Sequence, residues 1–170
     1  VAVLSSQIND DENRKTVQAY THLALFKESL GQIRAVLNTV FLQNSFNEDT
    51  FFMFSSNLST LKQNRDKFEI LAPKKLKEIY ENIFNTKTVY DTFSNIDTAK
   101  EKGLQGSFNI DAKEWFSKVT DSIELLRDIE LELYKHVYKS MDEKIEQASF
   151  NVAVFSIGAL LGILFFASFV

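Results

Sequence analysis

One arginine stands where a helical sequence should be apolar. In KESLGQIRAVLNTVF the apolar residues Leu30, Ile33, Leu37 and Val40 recur every three or four positions, the pattern of one buried helix stripe. Arg34 falls between Leu30 and Leu37, with Gly31 one turn before it and Asn38 one turn after. A glycine inside a helix costs about 1 kcal/mol relative to alanine and leaves backbone open to a close neighbour. A guanidinium tilted toward the core, beside a glycine gap and an amide, suits a small oxyanion, because its forked N–H donors match planar anions. Arg34, Gly31 and Asn38 are therefore the candidate ligand-binding residues. The plain alternative is that Arg34 carries its head to solvent along the helix, or pairs with a glutamate of another helix.

The other chemistry-bearing side chains make no catalytic constellation. His22 and His136 are far apart, and neither has a partner at metal-ligand spacing. Di-iron bundles use Glu-x-x-His pairs projecting inward, and Glu132 to His136 has the wrong spacing. The carboxylates Glu124, Asp128, Glu132, Asp142, Glu143 and Glu146 sit at helix-surface spacing. Gly103-Leu104-Gln105-Gly106 lacks the Lys-Ser/Thr that a phosphate loop needs. The chain has no cysteine, hence no disulfide, thiolate metal site or cysteine nucleophile. No metal, cofactor or enzymatic activity is expected of this segment.

These residues must be positioned by helices. The chain has 170 residues, only 5 Gly and 1 Pro, and 16 Phe for a core. Few breakers and long periodic runs favour an all-α fold. The charge balance, 23 acidic against 19 basic side chains, gives no basic face for nucleic acid.

Asn9, Asp10 and Asp11 form an N-cap cluster, predicting a helix from Asp11 to about Leu42 that buries Val17, Tyr20, Leu23, Phe26, Leu30, Ile33, Leu37 and Val40. Ser45 and Glu48 have capping-box spacing, and a second helix follows to about Leu71, burying Phe51, Phe54, Leu58, Leu61 and Phe68. Ala72-Pro73 should be a kink or brief stop. Helix then resumes to Lys102, with a candidate interruption at Asn85-Thr86, and Gly103 is a natural residue after a helix end. Asp111 and Glu114 open the last helix, whose stripe is Trp115, Val119, Ile123, Leu126, Ile129, Leu133, Val137, Met141, Ile145 and Ala148. Short connections imply antiparallel neighbours, so the expected architecture is an up-down-up-down four-helix bundle.

The last helix has a second character. From Asn151 to Val170 no residue is charged. Twenty such residues at about 1.5 Å each span roughly 30 Å, the thickness of a bilayer core. The expected organisation is a helical domain at 1–150 followed by a transmembrane helix at 151–170, with Gly158 and Gly162 at a spacing suited to helix contacts in lipid. The flank Met141 to Phe150 holds Asp142, Glu143, Glu146 and only Lys144. Cytoplasmic flanks are usually rich in Lys and Arg, so the domain is expected outside the cytoplasm. Val1 to Ile8 reads as the tail of a helix, which suggests a fragment of a longer protein.

Three stretches carry a family resemblance: YTHLALFKESLGQIRAVLNTVF, then SNLSTLKQNRDKF, then FNIDAKEWFSKVTDSIELLRDIE. Together they resemble the nitrate- and nitrite-sensing (NIT) domain of bacterial transmembrane receptors. The shared shape is Lys27, Glu28, Gly31, Arg34 and Ala35, then Trp115, Thr120 and Ile123; Ile33 departs from it, where the family often has Glu. The resemblance looks like the membrane-proximal half of that domain. It implies an all-α sensor in the periplasm or outside the cell, anchored in a bacterial inner membrane and working as a homodimer, with Arg34 contacting nitrate or nitrite. Signal would pass through the last helix to a chemotaxis, kinase or cyclic-dinucleotide output. The competing reading is a membrane-anchored structural or protein-interaction bundle without a small-molecule ligand.

Overall fold

The computed structural model of the chain describes residues 11–167, with the backbone alone for 11–13, 136, 137, 140, 141, 143, 144 and 158–167. The readings of Val1 to Ile8 and of the Asn9-Asp10 cap, and those of Gly158, Gly162 and residues 168–170, lie outside what is described. Among the described residues all regular structure is helical. The elements are α1 (Asp11–Gln43), α2 (Glu48–Leu71), α3 (Lys74–Phe84), α4 (Lys87–Lys102), a 3₁₀ turn (Gly103–Gln105) and α5 (Ala112–Ala167).

The boundaries follow local chemistry. The N-cap of α2 is Asn47 rather than Ser45: its Oδ1 accepts from the Thr50 N–H at 2.8 Å, and Thr50 Oγ1 accepts from the Asn47 N–H at 3.0 Å. Phe46 packs on Phe51 with ring centroids 5.4 Å apart, the hydrophobic staple that fixes the entry of a helix so capped. Both ends of that staple pull the start past Ser45. Ala72 is extended before Pro73 (ψ 138), which ends α2. The predicted third helix is divided at Asn85-Thr86. Thr86 is extended there, and its hydroxyl donates to the Ile83 carbonyl at 2.7 Å, a local bond that competes with the helical ladder. Asp111 caps α5, its Oδ1 accepting from the Glu114 N–H at 2.7 Å.

α1 lies along α2 and α5, and α3 and α4 pack on α5. The core runs through Leu23, Phe26, Leu30, Ile33 and Leu37 of α1, Phe54, Leu61 and Phe68 of α2, and Trp115, Val119, Leu126, Ile129 and Leu133 of α5. Phe26 reaches across to Phe84 and Phe93. Polar ties pin the helices in register: Lys27 pairs with Glu130, and the buried Thr92 and Ser122 hydroxyls share a 2.9 Å bond. Lys118 bonds Asp91 at 3.0 Å. At the loop end, Phe41, Phe46, Phe108 and Trp115 interlock edge to face. Gly106 is required there, at φ 69, since a Cβ would lie 2.9 Å from the Asn44 carbonyl that accepts from the Ser107 N–H.

Two stripe predictions fail. Val17 is half exposed, and on α5 the predicted stripe residue Ile145 is 62% exposed, while the side chains of Val137 and Met141 lie outside the described residues. The cause is length: α5 has 56 residues against 33 in α1, so at about 1.5 Å per residue it is longer than α1 by tens of ångströms. Among the described residues no helix is long and apolar enough to cross a membrane. The side chains from Gly158 onward, most of the expected span at 151–170, lie outside the residues described.

Candidate functional site

Arg34 projects from α1 into the seam with α5. Its Nη1 donates to Thr120 Oγ1 at 2.9 Å, and its Cζ lies 4.6 Å from the centre of the Phe116 ring. The Arg34 backbone carbonyl accepts from Trp115 Nε1 at 3.1 Å. Trp115 is fully buried, so its indole N–H needs a partner, and the arginine's own peptide supplies it. Helical periodicity explains the grouping: Phe116 and Thr120 are one turn apart on α5, and Trp115 precedes Phe116 on the core side.

The electrostatics are unusual for a half-buried cation. Among the described residues no ion pair reaches Arg34; its partners are a hydroxyl and an aromatic face. Its Nε is buried and has no hydrogen-bond partner. A buried donor without an acceptor costs free energy, and a cation without a counter-charge costs more. The plain alternative of a glutamate partner is therefore not what the seam contains.

Beside the seam is a cleft of about 560 Å³ lined by Asn38, Leu42, Phe116, Ser117 and Thr120, with Lys113 and Asp121 exposed at its edge. Asn38 and Thr120 thus share one open space. Gly31 is half buried on the same helix face as Arg34, and a Cβ there would meet no atom within 4 Å. No packing in the structure requires glycine at that position.

A larger groove, about 860 Å³, runs between α2 and α4 over Phe54, Leu58 and Phe93. It holds a second arginine on an aromatic face, Arg65, whose Cζ is 4.4 Å from the Phe84 ring centre. Arg65 already bonds Glu69, at 2.8 Å. Size favours this groove; charge favours the Arg34 seam, where a half-buried guanidinium has no ion pair among the described residues.

The remaining sequence candidates are placed as follows. His22 Nδ1 bonds Asn64 Oδ1 at 2.9 Å, joining α1 to α2, and the His136 side chain lies outside the described residues. The sequence reading missed Phe116. The signal available was its position directly after Trp115 and one turn before Thr120. Arg65 was missed too, although Arg65-Glu69 is an i,i+4 pair legible in the sequence.

Comparison with known proteins adds one finding. A family model described as nitrate and nitrite sensing matches residues 1–138. No curated protein and no solved structure matches the chain.

Proposed function

The chain belongs to the nitrate and nitrite sensing family, and on that footing we propose that it is the ligand-sensing region of a bacterial transmembrane receptor, binding nitrate or nitrite at the α1–α5 seam. The observation that carries the reading is the Arg34 guanidinium, half buried, without an ion pair among the described residues and with a free buried Nε. A planar monovalent oxyanion supplies what it lacks: one negative charge and two acceptor oxygens spaced for a guanidinium fork. Asn38 offers an amide from the shared cleft, and the open space at Gly31 lets the anion approach the helix.

In this reading the domain at 1–150 sits outside the cytoplasm, α3 and α4 together form one leg of a four-helix bundle, and α5 continues into a membrane span at 151–170. The uncharged sequence from Asn151 and the acidic flank before it support that arrangement. α5 carries Trp115 and Thr120 at its outer end and runs unbroken to Ala167, which suits it to transmit a shift at the seam within a homodimer. The chain itself performs no catalysis. The second reading, a membrane-anchored interaction bundle, draws on the α2–α4 groove, whose apolar floor and mixed charges suit a helical partner.

Titration calorimetry with sodium nitrate and sodium nitrite, against sodium chloride at equal ionic strength, decides between them. Saturable binding abolished by Arg34→Ala is the expected result. Equal binding by the variant removes Arg34 from the site, and absence of binding by the native chain leaves the interaction bundle.

A further inference from the structure

The hydroxyl that holds Arg34 is also the group best placed to contest the anion. Thr120 Oγ1 lies 2.7 Å from the Phe116 carbonyl, to which its single proton is donated. Its lone pairs then face Arg34 Nη1 at 2.9 Å. Toward the site Thr120 is therefore purely an acceptor, and so is an oxyanion. Both are acceptors for the same guanidinium.

We propose that Thr120 is an internal competitor for the ligand of Arg34: in the ligand-free seam it occupies the guanidinium, and anion binding displaces it, releasing the Thr120 turn at the outer end of α5 from Arg34. This rests on the anion-sensing reading above. An oxyanion brings a full negative charge and a second acceptor oxygen for the guanidinium fork, neither of which the Thr120 hydroxyl offers, so the exchange runs toward the anion. The Trp115 bond to the Arg34 carbonyl uses the backbone and is untouched by the exchange. α5 thus keeps one attachment to Arg34 at Trp115 and loses the other at Thr120, little more than a turn further along. That difference between states is what a ligand needs in order to shift a conformational equilibrium.

The competitor role has a sign that a ligand contact lacks. Thr120→Val keeps the shape and removes the acceptor. Nitrate affinity should then rise, about five- to tenfold for one hydrogen bond no longer to be displaced, while Thr120→Ser should match the native chain. The titration uses sodium nitrate on the native chain, Thr120→Val, Thr120→Ser and Arg34→Ala, each checked for helicity by circular dichroism, with Thr120→Ala in place of a valine variant that fails to fold. Tighter binding in the valine variant and normal binding in the serine variant support the competitor. Unchanged or weaker binding in the valine variant overturns it. If Arg34→Ala binds like the native chain, it is the anion-sensing reading that falls, and the competitor falls with it.

Discussion

Two arginines of this chain lie on phenylalanine rings, and they are not equivalent. Arg65 rests over Phe84 on the wall of the larger groove and gives its Nε to Glu69. Arg34 rests over Phe116, gives its Nη1 to a neutral hydroxyl, and keeps its Nε unpartnered. Stacking on an aromatic face holds a guanidinium in place without cancelling its charge. What separates a structural arginine from a candidate receptor for an anion is the carboxylate one helical turn away. Arg65 has Glu69 at that distance; Arg34 has Asn38 a turn after it and Gly31 a turn before.

The largest expected effect that breaks this symmetry is on stability. Arg65→Ala removes a stacked cation and a partly exposed ion pair, and should lower unfolding free energy by about 1 kcal/mol while nitrate affinity stays within about twofold. A thermal melt and a nitrate titration of the same variant read both. Loss of binding would mean that the two arginines share one function.

Gly31→Ala sharpens the Arg34 side. No atom lies within 4 Å of the missing Cβ, so the substitution should stabilise α1 by up to about 1 kcal/mol. If the anion uses that open space, the more stable variant binds nitrate more weakly. A gain in stability with unchanged affinity would take Gly31 out of the site.

The smallest effect is in pH. Burial pushes the Tyr80 hydroxyl well above its ordinary range, beside Arg65. A raised folded value means a contribution complete below the unfolded value of about 10 and lost as pH rises beyond it. Hydrogen bonds from Lys87, then Lys118, hold Asp91 below the usual carboxylate range. Its contribution is complete above the unfolded value of about 4 and is lost as pH falls through the lower folded value. Melting temperature should therefore decline above pH 10 and at acid pH. Tyr80→Phe should flatten the alkaline limb and Asp91→Asn the acid one. Nitrate affinity should be level from pH 6 to 9, since a hydroxyl and an aromatic ring are the side chains that contact Arg34.

Much of this was legible in the sequence, and for identifiable reasons. The 3.6-residue stripes through Leu23 to Val40 and Trp115 to Leu133 predicted the core because burial there is continuous. Arg34, Gly31 and Asn38 stood out because a charge, a gap and an amide interrupted a stripe. Stripe logic failed at Ile145, since periodicity reports which face is apolar and not how far the neighbouring helices extend. It also placed the start of α2 at Ser45, where the Phe46-Phe51 contact moves the cap to Asn47. The partners of Arg34 were out of reach: joining it to Thr120 requires the register of α1 against α5, which is set by the Lys27-Glu130 and Trp115 contacts across the whole fold.

Trp115 is the chain's one tryptophan, and its indole N–H bonds the Arg34 carbonyl, so a single resonance in a ¹⁵N–¹H spectrum reports on the seam. Titrated with sodium nitrate, that resonance should move saturably in the native chain and in Arg65→Ala, and stay fixed in Arg34→Ala. A fixed resonance in the native chain, or a saturable shift that survives Arg34→Ala, would contradict an anion site at Arg34.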